Sequence, residues 1–264
     1  MNNLSIRPIN TGFVSTIPKE YLYHHSVVKY YDIPDGRIEM PVFTFLIEGG
    51  DKLVLVDTGM AWTERASTHH HPGSHQPEGM SIVEQLKKIG YTPGDIDIVV
   101  LTHLHWDHCF YLDQFINAEF IVHEKEYSFA MDPIPLYYKS YEHPALGIIR
   151  PFEGLKFKTV KGDCEIINGV SVFETPGHSP GHMSVAVQAE SGEYICAGDS
   201  VFILDNIKPV PEIHYNITPP GRFYNIIETW KSIELQKARV NKSHLLCCHD
   251  EGLIERIIKT PVLK

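Results

Sequence analysis

The chain has 264 residues, 43% of them hydrophobic and 21% charged, an ordinary globular composition with enough length to bury a core without disulfides. Its 23 Lys and Arg against 33 Asp and Glu leave a formal charge of −10, which argues against binding phosphate backbones. No apolar run approaches the roughly 20 residues that span a bilayer, so no membrane partner is expected.

Residues 1–14 (MNNLSIRPINTGFV) lack the long apolar stretch of a secretory signal. The five cysteines, an odd number without CxxC spacing, read as free thiols in a reducing compartment. A cytoplasmic protein is the expectation. No repeat or Gly/Ser/Pro-rich linker divides the chain, so residues 1–264 are expected to form a single domain.

The first clear strand is 41–47 (PVFTFLI), joined through Gly49-Gly50-Asp51 to a second at 52–56 (KLVLV), a hairpin that ends in Asp57-Thr58-Gly59. Residues 80–89 place Ile82, Leu86 and Ile89 on one helical face and stop at Gly90. Residues 98–102 (IVVLT) read as a strand covered on both faces. A strand at 118–123, a helix starting at 124–129 and an aromatic-rich loop at 133–151 follow. Further strands are expected at 170–175, 184–188 and 194–197, a helix at 224–239, a last strand at 245–248 and a C-terminal helix. Hairpins mixed with helices indicate an α/β protein of sheets with helices packed outside.

The densest signal is His103-Leu104-His105-Trp106-Asp107-His108, directly after the strand at 98–102. Alternation sends His103 and His105 to one side of the chain, and Asp107 and His108 then turn it toward a second point. Two metal ions about 3.5–4 Å apart need such a divided ligand set. Three more ligand-type residues leave apparent strands: His178 in TPGHSPGH, Asp199 in AGDS and His249 in CCHD. Five imidazoles and two carboxylates fill two sites and leave room for water or substrate. Ligation by His and Asp favours two zinc ions per chain, with manganese, iron or cobalt as alternatives.

HxHxDH, TPGHSPGH, GDS and a late His, with the early VDTG, resemble the metallo-β-lactamase superfamily over most of the chain. The resemblance implies an αββα sandwich of two mixed sheets flanked by helices, with metals at one edge. It assigns His103, His105 and His178 to one metal and Asp107, His108 and His249 to the other, with Asp199 bridging and Asp57 in a supporting position. THLHWDHC and VDTGM resemble in particular the N-acyl homoserine lactone lactonases, the quorum-quenching branch. The implied activity is hydrolysis of a lactone ester by water activated between two metals. Asp107 is the candidate catalytic acid, taking the proton of the attacking water and returning it to the leaving alkoxide.

One departure stands out. Lactonases of this branch carry a tyrosine where this chain has Phe202, and Tyr111, Tyr137, Tyr138, Tyr215 or Tyr224 is a candidate replacement. The segments 134–141 and 207–224 are candidate walls for an acyl chain.

Of the other histidines, His182 is expected to orient its loop, and His69, His70, His71 and His75 to form a solvated run. His123, His143 and His214 read as structural, and Cys109, Cys247 and Cys248 as packed thiols. The expected partner is a small lactone or ester, with no nucleic acid, bound by a monomer or homodimer. Alternatives are a glyoxalase II-type thioesterase, which adds a basic C-terminal domain, and another ester or phosphoester hydrolase of the superfamily. The non-enzymatic alternatives are a diiron electron-transfer protein, a branch that usually has Glu where His105 stands and a flavin domain, and a metal-binding module, which gains nothing from an open two-metal site.

Overall fold

A computed structural model of the chain describes residues 4–264, so the first three residues of the N-terminal stretch lie outside the described residues. Eleven strands are described: β1 (Ser5–Thr16), β2 (Ile38–Glu48), β3 (Val54–Val56), β4 (Ile98–Val100), β5 (Glu119–His123), β6 (Phe157–Val160), β7 (Cys164–Ile167), β8 (Val170–Glu174), β9 (Met183–Ala189), β10 (Gly192–Cys196) and β11 (Leu245–Leu246). They form a six-stranded sheet in the order β1 to β6 and a five-stranded sheet in the order β11-β10-β9-β8-β7. Both are mixed: β1–β2–β3 pair antiparallel and β3 to β6 parallel, while β11 joins β10 in parallel and β10 to β7 run antiparallel.

The sheets pack face to face through one core, in which Phe43, Phe45, Val54, Val56, Ile98 and Val100 meet Val170, Val172, Met183, Val185 and Cys196. Helices cover the outer faces. α1 (Pro18–Tyr21) and α2 (Thr63–His69) are short, and α3 (Ile82–Lys88) and α4 (Glu124–Met131) lie over the first sheet. α5 (Ile226–Arg239) places Ile233 against Phe173, Ala186 and Ile195 of the second sheet, and α6 (Gly252–Lys259) sends Leu253 into the central core. This is an αββα sandwich.

Local chemistry accounts for the helix starts. Ser81 accepts from the Glu84 N–H while Glu84 accepts from the Ser81 N–H, a reciprocal cap that opens α3. Asn225 caps α5 by accepting from the N–H groups of Ile227 and Glu228. That cap moves the start of the helix expected from 224 to Ile226. The twelve-residue β1, the edge strands β6 and β7 and the helices α1 and α2 carry no sequence expectation.

Two sheet-to-sheet hydrogen bonds set the edge on which function concentrates. The Met183 N–H donates to the Thr102 carbonyl at 3.0 Å, and the Phe43 N–H to the Cys248 carbonyl at 2.9 Å. The chain segments leaving β4, β8, β10 and β11 therefore converge there.

Candidate metal centre

Each residue singled out from the HxHxDH, TPGH, GDS and CCHD segments arrives at this edge and is buried: His103, His105, Asp107, His108, His178, Asp199 and His249 are all 7% exposed or less. Asp199 lies at the middle. One of its oxygens, Oδ1, stands 3.1 Å from both His108 Nε2 and His249 Nε2. The other, Oδ2, stands 3.2 Å from His178 Nε2 and 3.8 Å from His103 Nε2. His105 Nδ1 faces His178 Nε2 at 2.9 Å. Asp107 Oδ2 lies 3.9 Å from the Nε2 atoms of His108 and His249.

Two groups result, each with its ligand atoms within 4.8 Å of one another: His103, His105, His178 and Asp199, and His108, Asp199, Cys248 and His249. Asp199 belongs to both.

The second nitrogen of three imidazoles is occupied in a way that fixes the tautomer. Asp57 accepts from Thr102 Oγ1 at 2.8 Å and from His108 Nδ1 at 2.9 Å. Because the Thr102 hydroxyl proton goes to Asp57, its oxygen accepts from His103 Nδ1 at 3.0 Å. His249 Nδ1 donates to the Pro41 carbonyl at 2.7 Å. In all three rings Nε2 is thereby the atom turned toward Asp199, and His103, His108 and His249 Nε2 are buried without a hydrogen-bond partner. Buried unpartnered nitrogens are costly unless another group satisfies them, and anchoring the distal nitrogen is how proteins present histidine to a metal. The donor set thus fits two divalent cations.

The electrostatics agree. Burial pushes His103 and His105 well below the ordinary histidine range and His178 to about 4, which keeps these rings neutral. His108 is the exception: burial would lower it, but Asp199 and Asp107 hold it well above that range, the pull of a site built for positive charge. Asp199, despite burial, is held well below the usual carboxylate range by His108, His249 and His178.

His182 lies behind the site. Its Nε2 accepts from the Asp199 N–H at 3.0 Å and its Nδ1 pairs with Thr175 Oγ1 at 2.9 Å, which orients the carboxylate from its own backbone.

Several supporting residues carried no sequence signal. Glu126 on α4 is fully buried and accepts from the Leu104 N–H at 3.1 Å, the Tyr141 hydroxyl at 2.8 Å, Ser179 Oγ at 2.5 Å and the Gly181 N–H at 3.2 Å. One carboxylate so ties the HxHxDH segment to the TPGHSPGH segment. The α5 face turned inward is largely polar: Ser232 Oγ donates to the Pro176 carbonyl at 2.7 Å and Gln236 Nε2 to Ser200 Oγ at 2.6 Å.

The histidine run after α2 differs from expectation. His70 is 2% exposed, stacks on Trp106 with centroids 4.1 Å apart and contacts Glu142 at 2.7 Å. Its burial follows from Trp106, a large apolar ring within HxHxDH that needs a flat partner. Cys248 also differs from a thiol that only packs: its Sγ stands 3.0 Å from Asp199 Oδ1.

A cavity of about 130 Å³ opens over the first group, with Tyr21, His105, Tyr137, His178, Arg222 and Phe223 among its walls. The segments 134–141 and 207–224 both contribute, and Arg222 places a cation beside the aromatic rings of the wall. Phe202 packs behind these residues, its ring centroid 5.2 Å from that of His178 and stacked on His249 at 5.7 Å. Of the five tyrosines considered as a replacement hydroxyl, only Tyr137 lines this cavity. Tyr21, which the sequence did not single out, packs edge-on against Phe202 at 5.5 Å. Burial, with Asp107 and Asp199 adding, pushes its phenol up, so it remains a protonated donor at neutral pH.

Comparison with known proteins agrees with this architecture. The sequence profile of the metallo-beta-lactamase superfamily matches residues 37–240. The chain is 31% identical over 193 residues to the N-acyl homoserine lactonase AiiA of Bacillus thuringiensis subsp. kurstaki, covering 70% of this chain and 73% of that one. It is 27% identical over 241 residues to the N-acyl homoserine lactonase AttM of Rhizobium radiobacter, covering 84% and 87%. The fold superposes with a TM-score of 0.75 on a Bacillus thuringiensis AiiA variant with N-decanoyl-L-homoserine bound at its active site, at 25% identity over 97% of each chain. With its paired histidine groups, shared aspartate and αββα layers, the chain belongs to the metallo-β-lactamase superfamily, in its N-acyl homoserine lactonase family.

Proposed function

We propose that this protein is a dinuclear metal-dependent lactonase that opens the ring of N-acyl homoserine lactones or closely related lactones. The observation that carries the reading is the division of Asp199, one oxygen toward His108 and His249 and the other toward His178 and His103. His103, His105 and His178 hold one ion, His108, His249 and Asp107 the other, and Asp199 serves both. Zinc suits a set of imidazoles and carboxylates. Two such ions, when bound, lower the pKa of water toward neutrality and polarise an ester carbonyl.

The chain's own groups account for the rest. Asp107 is buried, faces His108 and His249 at 3.9 Å, and burial pushes its carboxyl up. A carboxylate so raised accepts a proton more readily near neutral pH, which suits it to carry one from water to the leaving alkoxide. Tyr21, on the cavity wall with Arg222 and packed against Phe202, supplies the hydroxyl that Phe202 lacks, a donor for a substrate carbonyl oxygen. The aromatic walls of Tyr137 and Phe223 receive the acyl portion, and the cavity excludes bulk water from the reacting ester.

The test is a substrate panel on zinc-loaded protein: lactones, thioesters and phosphodiesters, with metal content measured in parallel. Turnover of N-acyl homoserine lactones with about two zinc ions per chain is expected. Two bound ions with no lactone opened, and another ester class hydrolysed well, would overturn the substrate assignment.

A further inference from the structure

We propose that Cys248 is a metal ligand, its thiolate joining His108, His249 and Asp199 around the second ion. The proposal rests on the two-ion reading above and adds a donor to it. Cys248 Sγ lies 3.0 Å from Asp199 Oδ1, the same oxygen that faces His108 Nε2 and His249 Nε2 at 3.1 Å each. The four ligand atoms fall within 4.8 Å of one another. Independently of the thiol, His108 Nε2 and His249 Nε2 are buried, lack hydrogen-bond partners and are aimed at this point.

The fold places this one cysteine of five at the centre. Past β11 successive side chains alternate, so Cys247 enters the outer core with Ile233 and Ala197 while Cys248 turns inward between the sheets. Its carbonyl accepts from the Phe43 N–H at 2.9 Å and the next residue is tied to Pro41, which fixes the direction of the Cα–Cβ bond. Cys109, although it follows His108 in sequence, donates to the Leu104 carbonyl at 3.5 Å and faces the outer core.

A thiolate is a soft donor that zinc and cobalt accept readily. On binding, the thiol proton is released to solvent as the sulfur–metal bond forms, so the thiol needs no oxidant or other reactant. The thiolate joins Asp107, 3.9 Å from the same two imidazoles, and does not replace it.

Cobalt(II) substitution reads the bond directly. Full-length protein loaded with two cobalt ions per chain should show a thiolate-to-cobalt charge-transfer band in the near ultraviolet. The band should vanish in Cys248→Ala and in the closer isostere Cys248→Ser, and persist in Cys109→Ala. Metal loading of wild-type protein should release one more proton than loading of Cys248→Ala. Two bound cobalt ions without the band in wild-type protein would overturn the proposal and leave the two-ion reading standing, as would a band that survives in Cys248→Ser. Failure to bind a second cobalt ion would overturn both.

Discussion

Asp199 and Asp107 differ at the scale of single atoms, and that difference yields separable variants. Each Asp199 oxygen serves a different histidine group, so Asp199→Ala should lose both metal and activity, read by elemental analysis and lactone turnover. Asp107→Asn leaves a neutral oxygen near His108 and His249 but cannot carry a proton, so kcat should fall by about 10²–10⁴ with metal content largely kept. Equal metal loss in both variants would deny Asp107 its separate role. Tyr21 makes the second pair. One well-placed donor to a developing oxyanion is worth about 10²–10³ in rate, so Tyr21→Phe should lower kcat by up to that range. Phe202→Tyr, which sets a phenol beside the same rings, should restore much of the loss in the Tyr21→Phe background while doing little by itself. If Tyr21→Phe turns over lactone at the wild-type rate, Tyr137 is the remaining hydroxyl on the cavity wall. Tyr21 escaped the sequence reading because nothing in the segment PKEYLY marks it; only the packing of α1 brings it to Phe202.

At the scale of elements, helices touch the segments that carry the candidate ligands at points with no spare room. A Cβ on Gly181 would lie 2.1 Å from the Glu126 backbone nitrogen, and one on Gly177 would lie 2.2 Å from the Thr229 nitrogen, in a glycine already at φ +133°. TPGHSPGH therefore needs its glycines because α4 and α5 abut it. Gly181→Ala should push this segment off α4 and destabilise the protein by about 1–3 kcal/mol, the usual cost of overpacking, with loss of metal from the His178 group. Denaturant midpoints together with metal content check it; wild-type stability would mean that α4 yields. Glu126 works by the same junction. Its four donors favour the carboxylate while burial pushes its pKa up, and the unusual cost of that balance marks it as a support that nothing in EKEYSF announces.

At the scale of the whole molecule, acid should unfold the protein partly through one buried cluster. Glu142 accepts from Arg65 at 2.9 and 2.7 Å and meets His70 at 2.7 Å, all over the back of Trp106. Burial would raise the Glu142 carboxyl, but His70 and Arg65 hold it below its ordinary value, while burial lowers His70 despite Glu142. Both depressed groups give stability that is present above their unfolded values, about 6.5 for His and about 4.3 for Glu, and lost as pH falls through their folded values. Stability should therefore begin to decline below about pH 6.5 and continue through the carboxylate range. Glu142→Ala should cost about 3–5 kcal/mol at neutral pH, since it removes the partner of Arg65 and His70. In a denaturation-against-pH curve it should flatten the acid limb in the carboxylate range and steepen it just below pH 6.5, because His70 loses the group that raises it. An unchanged acid limb would place the titration elsewhere. Chelation should act on the same global stability: a metal at a thousandfold excess over its Kd contributes about 4 kcal/mol, so removing each ion should lower Tm by roughly 10 °C.

The sequence by itself determined the layers and singled out the candidate ligand residues. Alternating or unbroken apolar runs mark β2, β4, β5, β8 and β9 because a strand buried on a sheet must be apolar on the faces it buries. HxHxDH, TPGH, GDS and the late His stand out because metal-binding side chains are few and rarely cluster at strand ends by chance. What the sequence left open depends on contacts between distant segments. β1 mixes polar and apolar residues as the edge strand beside β2, and β6 and β7 are short edges with exposed positions. His70 reads as solvated until Trp106 and Glu142 close over it, and nothing in the α5 segment marks Ser232 and Gln236 as residues that face inward. Periodicity reports how apolar a face is, not which buried polar groups find partners; those partners exist only once the two sheets and their covering helices bring separate loops to one edge.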